Sequence, residues 1–166
     1  MQTRKELEDW YDTPDPWEYE TTPDDLYRKN FYLAVLEDVG PYFSKALDIG
    51  AGQGWITKDL PAIEVHGFEL SDLAASRFPE QVERVKTVHQ KYDLILATGV
   101  LYEQYDHTRI NQMIHDGASE THGTLIMVAG IKDWLKPYEF GRRIRHFEIL
   151  YREYTHVIDV WEYAWD

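Results

Sequence analysis

The sequence predicts an α/β fold: a mostly parallel sheet with helices on both faces and an antiparallel strand at its C-terminal end. Three observations carry this. Short apolar runs alternate with helix-capable segments between residues 45 and 129, and such alternation pairs strands in parallel through right-handed crossovers. The first apolar run ends in Asp48-Ile49-Gly50-Ala51-Gly52-Gln53-Gly54, with glycines at alternate positions. Two aromatic, β-prone runs follow at 147–154 and 156–165 and read as an antiparallel pair on the sheet edge.

Taken in order, residues 1–23 are acidic and aromatic, with Pro14, Pro16 and Pro23 breaking regular structure, and read as an arm lying over the rest. Residues 24–166 read as a single domain. Asp24 or Asp25 is suited to cap a helix reaching Val39, with Leu26, Phe31, Leu33, Val35 and Leu36 as core contacts. Gly40-Pro41 stops it. Strand 45–49 leads to a short helix at 55–60, strand 63–68 to a helix at 72–78 capped by Ser71. A short strand at 82–85 returns without a crossover helix to strand 92–97. A helix at 108–118, a strand at 123–129 and a helix at 135–146 complete the series before the terminal pair.

The 166 residues suffice for one such domain and not for two. A formal net charge of -13 disfavours nucleic acid, whose phosphates require Lys and Arg. The absence of cysteine excludes disulfides and thiolate sites and fits a reducing compartment. The first residues are charged where a secretory signal needs an apolar run, and the longest apolar runs are strand-length, so a cytoplasmic protein with no membrane partner is expected. The seven histidines show no metal-ligand spacing, and no metal is expected. Oligomeric state is not readable.

The glycine turn carries the chemistry. Glycine is needed where the chain takes positive φ or where backbone must lie against a ligand, and the segment that follows presents free N–H groups to the same place. The spacing is G-x-G-x-G; a dinucleotide turn is G-x-G-x-x-G, and Trp55 stands where its third glycine would be, which argues against NAD. A second acid, Glu69, ends the run Val65-His66-Gly67-Phe68 twenty-one positions after Asp48 and is placed to accept hydrogen bonds from a ribose diol.

The D-x-G-x-G-x-G turn, the Glu69 strand end and the run Tyr92-Asp93-Leu94-Ile95-Leu96-Ala97-Thr98 resemble motifs of class I S-adenosylmethionine-dependent methyltransferases. The resemblance implies a Rossmann-like seven-stranded sheet with its last strand antiparallel, and S-adenosylmethionine across the strand tips. It implies Asp48 near the methionine amine, Gly50, Gly52 and Gly54 under the methionine and ribose, Glu69 on the ribose diol, and Trp55, Leu70 and Thr98 alongside. Val85-Lys86-Thr87-Val88 lacks the polar residue that holds adenine in most relatives, so backbone of Lys86 and Thr87 is expected to serve instead. A narrower likeness, Asp15-Pro16-Trp17, Tyr27-Arg28-Lys29 and Val100-Leu101-Tyr102, resembles NodS-like N-methyltransferases, which act on a sugar amine. It implies that the arm closes over the cofactor, with Trp17 and Arg28 helping to hold it.

In such relatives the segment 99–107 faces the methyl group. Glu103, Asp106 and His107 are then candidate bases or amine-orienting groups and Tyr102 a positioning wall, while Asp106 also suits a helix cap before Thr108. Arg142, Arg143, Arg145 and His146 form a basic run that reads as a solvated helix face or as a holder for an anionic acceptor group. The expected function is methyl transfer from S-adenosylmethionine to N or O of a small polar acceptor, a sugar or an amine. The alternatives are a non-catalytic S-adenosylmethionine-binding subunit and a nucleotide-binding oxidoreductase.

Overall fold

A computed structural model describes residues 1–40 and 42–165; Pro41, the second half of the expected helix stop, lies outside the described residues. The arm contains a helix, α1 (Arg4–Trp10), that the prolines had been expected to exclude. The proline-free start of the chain holds a capping box, Thr3 with Glu6, that satisfies the first-turn N–H groups reciprocally. Helix α2 (Pro23–Val39) starts two or three residues earlier than expected, with Pro23 itself at its first position. Proline is tolerated there because that N–H has no intrahelical partner. Asp25 therefore does not cap; it is buried and pairs with arginines. Leu26 is half exposed, whereas Tyr32 is fully buried.

The strands are β1 (Phe43–Ile49), β2 (Ala62–Phe68), β3 (Val82–Arg84), β4 (Leu94–Thr98), β5 (Leu125–Ile131), β6 (Gly141–Tyr151) and β7 (Tyr154–Tyr163). They form one seven-stranded sheet in the order β3-β2-β1-β4-β5-β7-β6. All neighbours from β3 to β5 pair in parallel, and β7 runs antiparallel to both β5 and β6. Helices α3 (Asp72–Ser76), capped by Ser71, and α4 (His107–Gly117), capped by Asp106, stand where expected.

Two expected helices are absent. Residues 55–60 form only a 3₁₀ turn at Thr57–Asp59, because Pro61 and the start of β2 leave no room for a longer element. Residues 135–146 are extended into β6. Pro137 interrupts a helix begun at Leu135, and Phe147, Ile149 and Tyr151 alternate inward with strand period. The basic run therefore sits on a strand. Its members face acids: Arg142 with Glu162 at 2.6 Å, Arg145 with Asp38 at 3.0 Å, and His146 and Arg143 with Asp159 at 2.6 and 3.6 Å. Those carboxylates answer its charge, so the run offers little to an anionic ligand.

The alternation of side chains across the sheet splits the core in two. On one face Tyr32, Val35 and Leu36 of α2 pack on Ala46, Leu94, Leu96, Met127 and Ile158. On the other Ile110, Met113 and Ile114 of α4 pack on Leu47, Ile95, Ile126 and Val128. Each large side chain so buried stabilises the fold by about 1.5–3 kcal/mol, which holds the strand tips where the site lies. Among the described residues no helix is long and apolar enough to cross a membrane.

Candidate functional site

A cavity of about 890 Å³ opens at the carboxyl ends of the parallel strands. It lies where the strand order reverses between β1 and β4, the usual ligand crevice of open α/β sheets. The turn after β1 is tied across the sheet, since Gly50 and Ala51 donate to Phe68 O at 2.8 and 3.1 Å. Gly52 takes φ +60°, and a Cβ there would come to 3.0 Å from the Tyr11 hydroxyl. Gly54, although at φ +82°, does not line the cavity; a Cβ on it would press on Pro79 and Phe78. Its smallness serves packing under the turn, which corrects its expected place beneath a ligand.

Asp48 and Glu69 converge on this cavity from neighbouring strands. Asp48 is 3% exposed; Oδ2 accepts from Thr57 Oγ1 at 2.8 Å, while Oδ1 has no hydrogen-bond partner among the described residues. Burial pushes its carboxyl up to about 7, against the pull of the Thr57 bond. A buried carboxylate oxygen without a donor is costly unless a ligand supplies one. Glu69 accepts from Gly52 N at 2.8 Å and Ser71 N at 3.0 Å, and burial still raises it above the usual carboxylate range.

The arm forms the outer wall. Trp17 stacks on Tyr19 at 5.6 Å, and Tyr19 on Trp55 at 5.9 Å, so an aromatic ladder runs from the arm to the glycine turn. Lys29 also meets Trp55, with its ammonium 4.8 Å from the ring and donating to the Trp55 carbonyl at 2.7 Å. Arg28 is buried in α2 beneath the cavity, bonded to Asp25 and enclosed by the rings of Tyr19, Tyr32 and Tyr151. Leu70, Thr98, Trp17 and Arg28 all line the cavity together with Gly50, Gly52 and Trp55.

The expected catalytic group divides. Tyr102 is buried and lines the cavity, its oxygen accepting from Ile131 N at 2.8 Å. Glu103 is exposed and lies outside the cavity lining, because the turn 102–105 carries it to the surface. His107 also lies outside the lining: its Nε2 donates to Tyr102 O at 2.7 Å. Asp106 does line the cavity, and it also caps α4 through Arg109 N. Lys86 and Thr87 are exposed and outside the lining; Phe68, Leu70 and Met113 wall the cavity near Glu69 instead. Missed altogether were Tyr19, Tyr151 and His156. They meet only through the β6–β7 hairpin and the fold of the arm, and local pattern carries no signal for that.

The reversed strand order, the antiparallel seventh strand and a crevice between two strand-tip acids together define the Rossmann-like methyltransferase fold. Solved structures with this fold include the N-methyltransferase NodS from Bradyrhizobium japonicum WM9 in complex with S-adenosyl-L-homocysteine. It is 16% identical, with a TM-score of 0.79 over 96% of this chain and 97% of that one. A second structure of NodS from the same organism is 14% identical, with a TM-score of 0.67 over 87% of this chain and 98% of that one. Magnesium protoporphyrin IX methyltransferase (ChlM) from Synechocystis PCC 6803 with bound SAM is 14% identical, with a TM-score of 0.67 over 99% and 98%. No protein-family model matches the sequence, and no curated protein matches it.

Proposed function

We propose that this chain is an S-adenosylmethionine-dependent methyltransferase that methylates an amine of a small polar acceptor, an amino sugar being the preferred class. The observation that carries the reading is the Asp48 Oδ1 atom, buried at the cavity without a donor. An ammonium group supplies that donor, and the methionine part of the cofactor carries one. Glu69, one strand over, is spaced to take a ribose diol. The open backbone of Gly50 and Gly52 lies between them. Likeness of fold to NodS and ChlM supports the same reading.

Bound S-adenosylmethionine would supply a methyl group on sulfonium, already activated for in-line displacement. The chain's own task is then placement and exclusion of water. Asp48 would hold the methionine amine of the cofactor and Glu69 its ribose. Trp17 and Tyr19 cover it from the arm, and Arg28 presents a fixed positive charge to its carboxylate. Tyr102 bounds the place where the acceptor stands. A neutral amine attacks with its own lone pair and needs no base in the transfer, whereas a hydroxyl does. Of the three expected bases, Glu103 and His107 lie outside the cavity, and Asp106, which lines it, has one oxygen engaged as the α4 cap; an amine acceptor calls on none of them. The proton of the resulting ammonium leaves to solvent.

The protein would act as a soluble cytoplasmic enzyme on small molecules, its acidic surface repelling nucleic acid. Calorimetry with S-adenosylmethionine, S-adenosylhomocysteine and NADH tests the cofactor, with micromolar binding of the first two expected. Tighter NADH binding would remove the assignment. Turnover of a panel of amino sugars and simple amines, read as S-adenosylhomocysteine formed, then separates an enzyme from a non-catalytic binder.

A further inference from the structure

The cavity extends past the proposed cofactor site. From Glu69 at the tip of β2 to His156 at the start of β7 it crosses β1, β4 and β5. That is four strand spacings, or about 19 Å at ~4.8 Å each. The far end is walled by Tyr102, Trp134, Tyr151 and Tyr154, with Trp134 set edge-on to Tyr102 at 5.8 Å and tilted against Tyr154 at 5.2 Å. His156 sits among them, 3% exposed, and is the β-ladder partner of Ile131. The same Ile131 donates its N–H to Tyr102.

The proton on this imidazole can be assigned from its surroundings. Nε2 is hydrogen-bonded to the hydroxyl of Tyr32, a residue with no exposure. Arg28 Nη1 donates to that same hydroxyl oxygen at 3.4 Å. Among the described residues the Tyr32 O–H has no acceptor other than His156 Nε2. The phenol therefore donates to Nε2, and the imidazole proton resides on Nδ1. Burial and the Arg28 charge hold the ring neutral, its pKa pushed down to about 3. Nδ1–H is buried with no partner. The Tyr102 hydroxyl is half-used: its oxygen accepts from Ile131 N, and its own O–H has no acceptor among the described residues.

We infer that His156 is an acceptor-binding residue, whose Nδ1–H, together with the Tyr102 O–H, donates to an oxygen of the methyl acceptor beside the atom that is methylated. This rests on the methyltransferase reading above and adds to it the residue, the atom and the chemistry of the contact. The acceptor must carry a hydroxyl, ether or carbonyl oxygen next to its amine; a simple alkylamine leaves both donors unpaired and is rejected. His156 does not take the amine proton, since its only other nitrogen is occupied by Tyr32. Tyr32 is a positioning residue that acts through His156.

The test uses the full chain loaded with S-adenosylhomocysteine and D-glucosamine as probe. Nitrogen-15 NMR of the histidine side chains is expected to give a neutral, Nδ1-protonated His156, whose Nδ1 resonance moves saturably as glucosamine is added. His156→Phe should weaken glucosamine at least tenfold and leave S-adenosylhomocysteine affinity within twofold. His156→Asn, which keeps an N–H near the Nδ1 position, should recover part of the loss. Tyr32→Phe should disturb the tautomer and weaken glucosamine severalfold, giving a second variant should His156→Phe fold poorly. An Nε2-protonated ring overturns the inference. So does a His156 resonance that ignores glucosamine, or equal glucosamine affinity in wild type, His156→Phe and Tyr32→Phe. Failure to bind S-adenosylhomocysteine would instead remove the methyltransferase reading, and the unloaded protein would still report the tautomer and its response to glucosamine.

Discussion

Glu8 and Ser71 meet across 63 residues of sequence, Oε2 of the acid accepting from the serine Oγ at 3.1 Å. The same carboxylate accepts from Leu73 N at 3.2 Å and from Asp72 N. Glu8 on α1 thereby serves as an outside cap for α3, whose first N–H groups have no intrahelical partner. Burial pushes its carboxyl up, but the N–H groups of Asp72 and Leu73 outweigh this and hold it below the usual range. The docking contribution is therefore fully present above pH ~4.5 and disappears as pH falls through the lowered value.

Glu8→Ala should weaken docking of the arm by about 0.5–2 kcal/mol, the range for loss of a helix cap. Hydrogen exchange of residues 4–19 reads this directly. Unchanged protection would mean that the Trp17–Tyr19–Trp55 ladder holds the arm alone.

Exchange of the arm is also expected to slow when S-adenosylhomocysteine is added. Trp17 and Tyr19 line the same cavity as Gly52 and Glu69, so a ligand there completes the arm's own contacts. Equal protection in both states would make the arm a fixed strap. A truncation starting at Asp24 would then fold poorly, whereas a ligand-coupled arm predicts a folded truncation with weakened binding.

Glu69→Ala should weaken S-adenosylmethionine by roughly 1.5–3 kcal/mol, the range for hydrogen bonds to a charged group. Glu69→Gln should lose less. Because Glu69 also holds the N–H groups of Gly52 and Ser71, calorimetry belongs beside a melting curve. An unchanged dissociation constant would reduce this acid to a brace for the turn.

Gly52→Val should abolish cofactor binding. A β-branched residue at φ +60° is strained by roughly 1–2 kcal/mol, and its Cβ would crowd Tyr11. Normal binding by a folded Gly52→Val protein would move the site elsewhere.

The pH response follows from Asp48. Its folded value of about 7 lies above its ordinary one of 3.8, so the folded state binds the proton more tightly. Stability without ligand should decline as pH rises from about 4 to about 7. Cofactor affinity should climb through about pH 7 as the carboxylate forms. It should fall again near pH 8, where a free α-amino group loses its proton. Asp48→Asn should flatten the rising limb; a rise that survives that substitution would assign it to another group.

Much of this site was legible locally because its chemistry sits within short segments. Asp48, Gly50 and Gly52 belong to one turn, Ser71 and Asp106 are caps with their helices immediately following, and Glu69 ends an apolar strand. Thr3 and Glu6 carried an equally plain capping box that the three later prolines obscured. Glu103 and His107 were misplaced because a turn of three or four residues decides inward from outward, and no periodicity reads through it. His156 was hidden differently: a histidine in an aromatic strand looks like any other until the β5–β7 register sets it beside Ile131. The first half of β6, up to His146, was mistaken for a helix because its arginines favour helix slightly, a preference that pairing along a ten-residue ladder overrides, while its second half was legible as a strand.

The two outermost strands also bear on how the protein avoids itself. An open sheet ends in unpaired N–H and C=O groups that invite a neighbour to add a strand. On one side β3 is three residues long, too short a template to propagate. On the other β6 is the longer hazard at eleven residues, and it carries Arg142, Arg143, Arg145, His146 and Glu148, with a register shift between Arg143 and Arg145. A second copy approaching in register would meet that charge and a bent edge. Charged side chains and a bend on an edge strand both work against the addition of a further strand.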